Sequence, residues 1–248
     1  MKDIENESID MIFSDLPYGK TKNKWDSIIP LDLLWKQYNR IIKPNGAIVL
    51  FGQDKFTAKM MLSNENMHRY NLIWDKVLSS GFLNANKMPL RNHEDIMVFY
   101  KKLPIYNPQF WEGKPLHGMG EKYKKGNLDN KNYGNFASYK NPSANREGDT
   151  KKYPLSILKF KKEHPSTIIH PTQKPLELCR YIIRTYTNEG NLVLDNCCGS
   201  GSIPLSAKLE NRNYIGMDNG VCERKNSKYD GWYWADVAID RIKNYKNM

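Results

Sequence analysis

The sequence predicts an α/β fold in which a mostly parallel sheet is covered by helices on both faces. Short continuous apolar runs, which are typical of strands buried on both faces, alternate with stretches of helical periodicity. Two of the later runs end on an aspartate, a common arrangement at the ligand-binding edge of such a sheet. A length of 248 residues, of which 40% are hydrophobic, suits one domain with a substantial core and an insertion.

Residues 1–103 are predicted to form one half of this domain. The expected order is a strand at 9–13, a helix at 30–42, a strand at 47–51, a short helix at 56–62 and strands at 70–74 and 95–100. The helix at 30–42 has the clearest pattern, because its large apolar residues recur on one face. The turn residues Pro44, Asn45 and Gly46 predict its end.

Residues 165–248 are predicted to form the other half of the same domain. The expected order is a helix from Pro175, a strand at 191–194, a helix at 203–209, a strand at 214–217 and a last helix at 232–245. Proline suits the first turn of a helix, where a backbone N–H has no helical partner. The two strands end at Asp195 and Asp218.

Residues 104–164, between these halves, have a different composition. They contain 12 Lys and Arg against 6 Asp and Glu, so a quarter of the chain carries about half of the total net charge of +11. Interleaved cationic and aromatic side chains are typical of surfaces that contact phosphates and stack on bases. We expect a partly disordered target-recognition insertion that binds nucleic acid; the alternative is a solvated insertion with no specific role. Its nine aromatic residues are Tyr106, Phe110, Trp111, Tyr123, Tyr133, Phe136, Tyr139, Tyr153 and Phe160.

The composition argues against several classes of protein. No apolar run approaches the ~20 residues of a membrane span, and the first residues lack the apolar region of a signal peptide. The four cysteines show neither paired CxxC spacing nor a zinc-type cluster with histidine. We therefore expect free thiols in a reducing cytosol, no metal ion and no membrane partner.

Residues 14–19, Ser-Asp-Leu-Pro-Tyr-Gly, form the first candidate site. An acid, a proline and an aromatic residue stand together where a buried strand ends, at the edge where ligands bind in open α/β sheets. We interpret Asp15 and Tyr18 as residues that hold a flipped nucleic-acid base. The alternative is a strand followed by an ordinary Pro-Tyr-Gly turn.

A glycine loop follows the strand that ends at Asp195, and a helix follows the loop. This is half of a Rossmann-like nucleotide-binding unit, in which Asp218, at the end of the next strand, would accept hydrogen bonds from ribose hydroxyls. The loop lacks the third glycine of a dinucleotide site and the Gly-Lys-Ser/Thr of a P-loop. A ligand with an adenosine-like ribose and no pyrophosphate fits, such as S-adenosylmethionine; the alternative is a tight turn without a ligand.

Several motifs, taken together, resemble those of the DNA amino-methyltransferases, in the circularly permuted group whose catalytic motif precedes the cofactor motif. Residues 15–18 resemble Asp-Pro-Pro-Tyr, residues 170–175 match His-Pro-Thr-Gln-Lys-Pro, and residues 195–202 resemble Asp-Pro-Phe-x-Gly-Ser-Gly-Thr. Two more parts of the sequence resemble motifs of this family: residues 43–46, and residues 74–76 together with 93–94. The resemblance covers about three quarters of the chain and leaves 104–164 in the target-recognition slot.

The resemblance implies transfer of a methyl group from S-adenosylmethionine to the N6 amine of adenine in DNA. In the catalytic motif Asp15, Leu16, Pro17 and Tyr18, the Asp15 carboxylate and the Leu16 carbonyl would accept hydrogen bonds from the amine while Tyr18 stacks on the base. Aspartate at the first position resembles adenine-N6 enzymes, whereas serine there goes with cytosine-N4. The cofactor residues that the resemblance implies are Thr172, Gln173, Lys174, Asp195, Gly199, Ser200, Gly201 and Asp218.

The chain departs from the family pattern at a few places. Leu16 replaces the first proline, Asn196-Cys197-Cys198 replaces Pro-Phe-x, and Asp218 stands where glutamate is more usual. Relatives usually begin with a strand and a Gly-Asp turn upstream of the segment with which this chain starts. We therefore expect a sheet that lacks its first strand, through a start codon placed too late or a real truncation.

Other readings remain open beside adenine-N6 methylation. They are cytosine-N4 methylation by the same mechanism, a truncated and non-catalytic nucleic-acid-binding protein, and an RNA methyltransferase or another nucleotide-dependent enzyme. The expected partner is DNA, bound through 104–164; a homodimer and a cognate restriction enzyme are partners that the resemblance leaves open. The expected location is the cytoplasm of a bacterium or of a phage-infected host cell.

Overall fold

The computed structural model describes residues 1–20, 26–115, 148–164, 166–225 and 227–245. The chain divides into two compact units, Met1–Asn107 with Leu155–Met248, and Pro108–Pro154. The first unit contains the predicted sheet and its helices. In the described part of the chain, no helix is both long enough and apolar enough to cross a membrane.

The described residues contain nine strands, seven of which form a mixed, mostly parallel sheet in the first unit. In chain order the strands are β1 (Ile9–Ser14), β2 (Ile42–Gly52), β3 (His68–Ser80), β4 (Arg91–Phe99), β5 (Trp111–Glu112), β6 (Lys151–Lys152), β7 (Ile157–Lys159), β8 (Leu192–Asp195) and β9 (Asn213–Gly216). All except β5 and β6 belong to one sheet with the order β7-β3-β4-β2-β1-β8-β9. Only β4 runs antiparallel to its neighbours, β2 and β3.

Helices cover both faces of this sheet, as the sequence predicts. The α-helices of the described residues are α1 (Leu31–Ile41), α2 (Lys55–Ser63), α3 (Leu176–Tyr186), α4 (Ser202–Leu209) and α5 (Trp234–Asn244), and a short 3₁₀ helix spans Phe82–Asn84. Helices α1 and α2 pack on one face through Tyr38 and Met60. Helices α3 and α4 pack on the other through Ile182 and Ile203.

Strand β1 explains why the central strands read as continuous apolar runs. Met11 and Phe13 belong to the core under α3 and α4, whereas Ile12 belongs to the core under α1 and α2. All three side chains are fully buried. Burying each such side chain contributes about 1.5–3 kcal/mol, so this strand is held from both faces.

The order of the strands reverses between β1 and β8. The chain passes from β1 through α1 to its neighbour β2 on one side, and from β8 through α4 to β9 on the other. Because β1 and β8 are parallel, their carboxyl ends meet at the same edge of the sheet. A crevice for a ligand forms at this kind of reversal in open α/β sheets.

Three predicted elements differ in extent from those observed. Strand β2 begins at Ile42 directly after α1, and the register advances two residues along β1 (Ile9 to Met11) but five along β2 (Ile42 to Ala47). The predicted turn at 44–46 is therefore part of a bulge within a strand. Strands β3 and β4 are longer than predicted, because they continue past the core as a half-exposed hairpin.

The boundaries of the basic insertion also differ from those of the second compact unit. Strand β7 lies inside the predicted insertion 104–164, yet it pairs with β3 of the main sheet. The second unit, Pro108–Pro154, contains the small sheet of β5 and β6. Most of the predicted target-recognition sequence lies at 116–147, outside the described residues, and so does most of the segment for which partial disorder was expected.

At the other end of the sheet, β9 is the last strand of the described residues. Residues 1–8 form turns that Arg40 holds by donating hydrogen bonds to the carbonyl oxygens of Met1 and Ile4. The absence of a first strand through a late start codon or a truncation stays a prediction. The circular permutation of the two halves also stays a prediction.

Candidate active site

Ser14 and Asp195 join the two candidate motifs at the reversal point of the sheet. Ser14 ends β1 and Asp195 ends β8, and the Ser14 hydroxyl donates a 2.7 Å hydrogen bond to Asp195 Oδ1. Both residues are buried. The catalytic-type motif and the glycine loop therefore leave the sheet side by side, although 181 positions separate the two residues along the chain.

Asp15 directs its two carboxylate oxygens to different partners. Tyr18 donates its hydroxyl to Oδ1 at 2.7 Å, and Lys174 donates its ammonium group to Oδ2. Burial raises the pKa of Asp15 above its ordinary value, although the nearby Lys174 opposes this shift. The acid of the first motif is thus a shielded carboxylate that depends on its donors for its charge.

The rest of the first motif is held by packing. The Tyr18 ring lies 4.7 Å from the Phe56 ring of α2, measured between centroids, and burial raises the pKa of Tyr18 well above its ordinary value. Leu16 is only 3% exposed and packs in the core under α1 and α2. An aliphatic side chain therefore fills the place of the family's first proline, and Pro17 and Tyr18 remain half-buried.

Lys174 belongs to a buried group of charges that we call the charged cluster: Asp15, Lys76, Glu94 and Lys174. Lys174 Nζ lies 3.6 Å from Glu94 Oε2, and Lys76 donates to Glu94 Oε1. Burial lowers the pKa of Lys174, but Asp15 and Glu94 outweigh this effect and the net shift is upward. Burial likewise raises the pKa of Glu94, but Lys174 and Lys76 outweigh it and the net shift is downward.

The glycine loop depends on two left-handed residues. Gly199 has a φ of +47° and Gly201 a φ of +78°, a region that glycine enters without a steric cost. A Cβ atom at Gly201 would lie 2.7 Å from the Cβ of Ala238 in α5. The loop consequently passes so close to α5 that no side chain fits at position 201.

Arg241 of α5 fixes the same loop. Its Nη1 atom lies within hydrogen-bonding distance of the Ser200 carbonyl oxygen, at 3.0 Å, and of the Ser202 hydroxyl, at 3.1 Å. Burial lowers the pKa of Arg241. Nothing in the sequence pattern assigned this residue, since its place in the last helix becomes informative only when α5 packs on the loop.

The predicted cofactor residues Asp195 and Asp218 lie beside each other's strands: Asp195 ends β8, whereas Asp218 follows the end of the neighbouring strand β9 by two residues. Burial raises the pKa of Asp195 to about 7, against the hydrogen bonds from Ser14 and from the backbone N–H of Cys197. Asp218 is half-buried and accepts hydrogen bonds from the backbone N–H groups of Gly199 (2.9 Å) and Gly220 (2.8 Å). Asp218 therefore holds the loop in place through both carboxylate oxygens.

The His-Pro-Thr-Gln-Lys-Pro segment connects the two motifs. Gln173 Oε1 accepts a 3.0 Å hydrogen bond from the Ser200 hydroxyl, while Lys174, the next residue, contacts Asp15. Thr172 is exposed, and its hydroxyl lies 3.1 Å from Nδ1 of His170. Burial lowers the pKa of His170 to about 4, so this imidazole is neutral near pH 7.

The structure thus brings the predicted residues of both motifs to one sheet edge, with Thr172 at its exposed margin. Sequence reasoning quoted Lys76 and Glu94 within family blocks but gave them no role, and it did not single out Ser14. Among the described residues, no group of three or more His, Cys, Asp or Glu side chains has a metal-binding arrangement. The four cysteines are free, and all but Cys197 are buried.

Known proteins share this sequence pattern and this fold. The family model for N6 and N4 methyltransferases, described as DNA methylase, matches residues 9–223. The Type II methyltransferase M.HpaI of Haemophilus parainfluenzae is 24% identical, over 98% of this chain and 76% of its own length. The Type II methyltransferase M1.MboII of Moraxella bovis is 26% identical, over 87% of this chain and 86% of its own length.

Two solved structures have the same fold at low identity. The M1.HpyAVI–SAM complex superposes with a TM-score of 0.58 at 22% identity, covering 97% of this chain and 90% of that one. The PvuII DNA methyltransferase, described as cytosine-N4-specific, also gives 0.58 at 15% identity, covering 99% and 89%. With the family model spanning most of the chain, from β1 to beyond β9, this chain belongs to the N6/N4 DNA methylase family.

Proposed function

We propose that this protein transfers a methyl group from S-adenosylmethionine to the N6 amine of adenine in DNA. The observation that carries the proposal is the hydrogen bond between Ser14 and Asp195, which holds the end of β1 beside the start of the glycine loop at one sheet edge. Asp15, the carboxylate that would accept hydrogen bonds from the target amine, directly follows Ser14. A base held at Asp15 and a cofactor held at the loop would then lie within reach of each other.

The residues around the loop fit a cofactor with a ribose. The backbone turns sharply at the left-handed residues Gly199 and Gly201, as it does in loops that let a nucleotide-like ligand approach the backbone. Each oxygen of Asp218 accepts one backbone hydrogen bond and keeps a second lone pair for a ribose hydroxyl. When bound, S-adenosylmethionine supplies an electrophilic methyl group on a positively charged sulfur. Support for this cofactor also comes from the related M1.HpyAVI structure, which is described as a SAM complex.

The acceptors in the first motif would make the target amine a better nucleophile. An exocyclic amine is weakly nucleophilic because its lone pair is delocalised into the ring, and hydrogen bonds from its N–H groups to Asp15 and to the Leu16 carbonyl would localise that pair. The bond from nitrogen to the methyl carbon forms as the carbon–sulfur bond breaks, and the electron pair of that bond stays on sulfur. The amine then loses one proton to Asp15 or to solvent.

Asp15 favours adenine over cytosine as the target base, because an aspartate at this position of the motif is a feature of the adenine-N6 enzymes that the sequence resembles. Cytosine N4 is the second candidate, since the same acceptors suit that amine and the fold is shared with a cytosine-N4-specific enzyme. DNA would be bound through 104–164, whose described part places Lys159 and Lys161 on and after β7. A cytoplasmic location, a homodimer and a restriction partner stay predictions.

Methyl incorporation into unmethylated duplex DNA tests the proposal. With radiolabelled S-adenosylmethionine, we expect incorporation by the wild type and a loss of about a hundredfold or more for Asp15→Asn, since one stabilising acceptor is removed. Asp32→Asn, at an exposed position of α1, is the matched control. Digestion to nucleosides should give N6-methyladenine; N4-methylcytosine would overturn the choice of base, and full activity of Asp15→Asn would overturn the role of Asp15.

A further inference from the structure

The charged cluster contains one cation that lies between two acids. Lys174 Nζ is hydrogen-bonded to Asp15 Oδ2 and lies 3.6 Å from Glu94 Oε2. The side chain of Lys174 is 7% exposed and that of Glu94 is 13% exposed, so water screens these charges weakly. The three groups come from separate parts of the fold: the end of β1, strand β4 and the segment before α3.

The two acids are unequally satisfied. Both oxygens of Asp15 accept a hydrogen bond, whereas Glu94 accepts one at Oε1 only, from Lys76. Glu94 Oε2 is buried and has no hydrogen-bond partner among the described residues. A buried carboxylate oxygen without a donor is unfavourable, so this atom is a ready acceptor for the Lys174 ammonium group, which lies 3.6 Å away.

The resting contact at Asp15 opposes the role that the proposed function gives to this residue. An amine gains nucleophilicity from an acceptor that carries negative charge, and the Lys174 ammonium neutralises that charge at Oδ2. A cation beside Asp15 also disfavours the positive charge that develops on the amine during methyl transfer. The target amine would therefore meet a carboxylate whose negative charge Lys174 already offsets.

We propose that Lys174 moves from Asp15 to Glu94 Oε2 when the target amine binds, which makes Glu94 a positioning residue for methyl transfer. This inference rests on the proposed function. The movement is small, because a charged N–H···O hydrogen bond spans about 2.8 Å and Nζ is already 3.6 Å from Oε2. In the free protein the lysine keeps the buried acid paired; with DNA bound, Glu94 Oε2 accepts a hydrogen bond from the lysine and the contact of Lys174 with Asp15 weakens.

Two neighbours suit this exchange. Lys174 Nζ lies 4.8 Å from the centroid of the Phe51 ring, whose face attracts a cation before and after a displacement of about 1 Å. Lys76, through Glu94 Oε1, holds the receiving carboxylate in place and leaves Oε2 open. The opposite pKa shifts of the two acids agree with this arrangement, since Glu94 is the one that the lysines keep ionised.

A crystal structure of the Asp15→Asn variant tests the exchange without any activity measurement. Asparagine offers Lys174 only a neutral oxygen, so we expect Nζ to lie about 2.8 Å from Glu94 Oε2 in this variant. If Nζ instead remains on residue 15 with Glu94 Oε2 still unpartnered, the proposal is wrong. This readout concerns only the position of Lys174, so its failure is distinguishable from a failure of the wild type to methylate DNA, which would contradict the proposed function.

Single-turnover methyl transfer gives the second test. Glu94→Gln removes the charge that receives Lys174, so we expect the rate constant of transfer to fall about tenfold or more while the affinities for DNA and cofactor are kept. Lys76→Met is the control, because it disrupts the same cluster but leaves Oε2 open; it should slow transfer less. Equal losses in the two variants would show a general packing effect and overturn the role of Glu94. If Glu94→Gln fails to fold, Glu94→Asp keeps the charge but withdraws it from Lys174, and should also slow transfer.

Discussion

Asp195 is a buried carboxyl group with no cation beside it in the contacts described. Its oxygen Oδ1 accepts hydrogen bonds from the Ser14 hydroxyl and from the Cys197 backbone N–H. These two donors only partly offset burial, which raises the pKa of Asp195 from 3.8 to about 7. The site therefore contains a carboxyl group that is partly protonated near neutral pH. This group also accepts the hydrogen bond from Ser14 that connects β1 to β8.

The stability of the protein should depend on pH through Asp195. Because the folded pKa lies above the unfolded one, the stabilising contribution is complete below pH 3.8 and is lost as the pH rises through about 7. Asp195→Asn keeps an acceptor for Ser14 and cannot ionise. Between about pH 5 and pH 8 the wild type should lose about 2–3 kcal/mol of unfolding free energy relative to this variant.

Urea unfolding of both proteins at several pH values measures this difference. Subtracting one stability curve from the other removes the contribution of groups that do not interact with Asp195, so only the difference between the two proteins is interpreted. Parallel stability curves for the wild type and Asp195→Asn would contradict the raised pKa of Asp195.

Some residues of the site were predictable from the sequence and others were not. Asp15, Gly199 and Asp218 were predictable because each follows a strand whose apolar run is visible in the sequence. Glu94 and Lys76 were not, because the antiparallel pairing of β3 and β4, which brings these two residues into contact, follows from no local pattern. The same holds for Arg241, whose contacts with Ser200 depend on how α5 packs.

At the scale of elements, α5 and the glycine loop form one structural unit. Gly201 has a φ of +78° and its missing Cβ would lie 2.7 Å from Ala238 of α5. We expect Gly201→Ala to cost about 1–2 kcal/mol through its left-handed backbone and about 1–3 kcal/mol more through the clash, and to weaken cofactor binding. Urea unfolding and calorimetry with S-adenosylmethionine measure the two effects.

Gly231→Ala is the matched control for this change. Gly231 has a φ of +82°, but no atom lies within 4 Å of the position that its Cβ would take. The Gly231→Ala variant should lose only the about 1–2 kcal/mol of unfolding free energy that comes from the left-handed backbone, and it should keep its affinity for the cofactor. If the two variants behave alike, α5 does not constrain the loop.

Elements were predictable from sequence to different degrees. Strand β8, the glycine loop and α4 lie close to their predicted positions, because an apolar run, a turn and a helix follow each other without interruption. Strand β7 was missed within the basic insertion, since three residues carry no periodicity and only the pairing with β3 makes them a strand. Strand β2 began early because a strand that bulges can contain Pro44 and Gly46.

For the whole molecule, a net charge of +11 predicts salt-dependent binding to DNA. Lys159 ends β7 and Lys161 follows it; both are exposed, and β7 lies beside β3, which carries Lys76 of the charged cluster. If these lysines contact phosphates, Lys159→Ala with Lys161→Ala should weaken DNA binding and reduce the slope of log K against log salt by about 2.

Titration of a labelled duplex at several salt concentrations measures this slope. The control pair is Lys36→Ala with Lys59→Ala, which removes the same charge from exposed positions on α1 and α2. An equal loss of slope in both pairs would mean that net charge alone, rather than the position of β7, governs binding.

The pairing of β1 with β8 has a consequence for folding during synthesis on the ribosome. Ser14 and Asp15 meet their partners Asp195 and Lys174 only after the chain has grown by a further 181 and 159 residues, respectively. Until then β1 lacks a neighbour at the centre of the sheet, and contacts between residues so distant in sequence form slowly. A nascent or prematurely terminated chain that lacks β8 and the glycine loop therefore has no assembled site, so methylation competence would appear only after these segments have been synthesised.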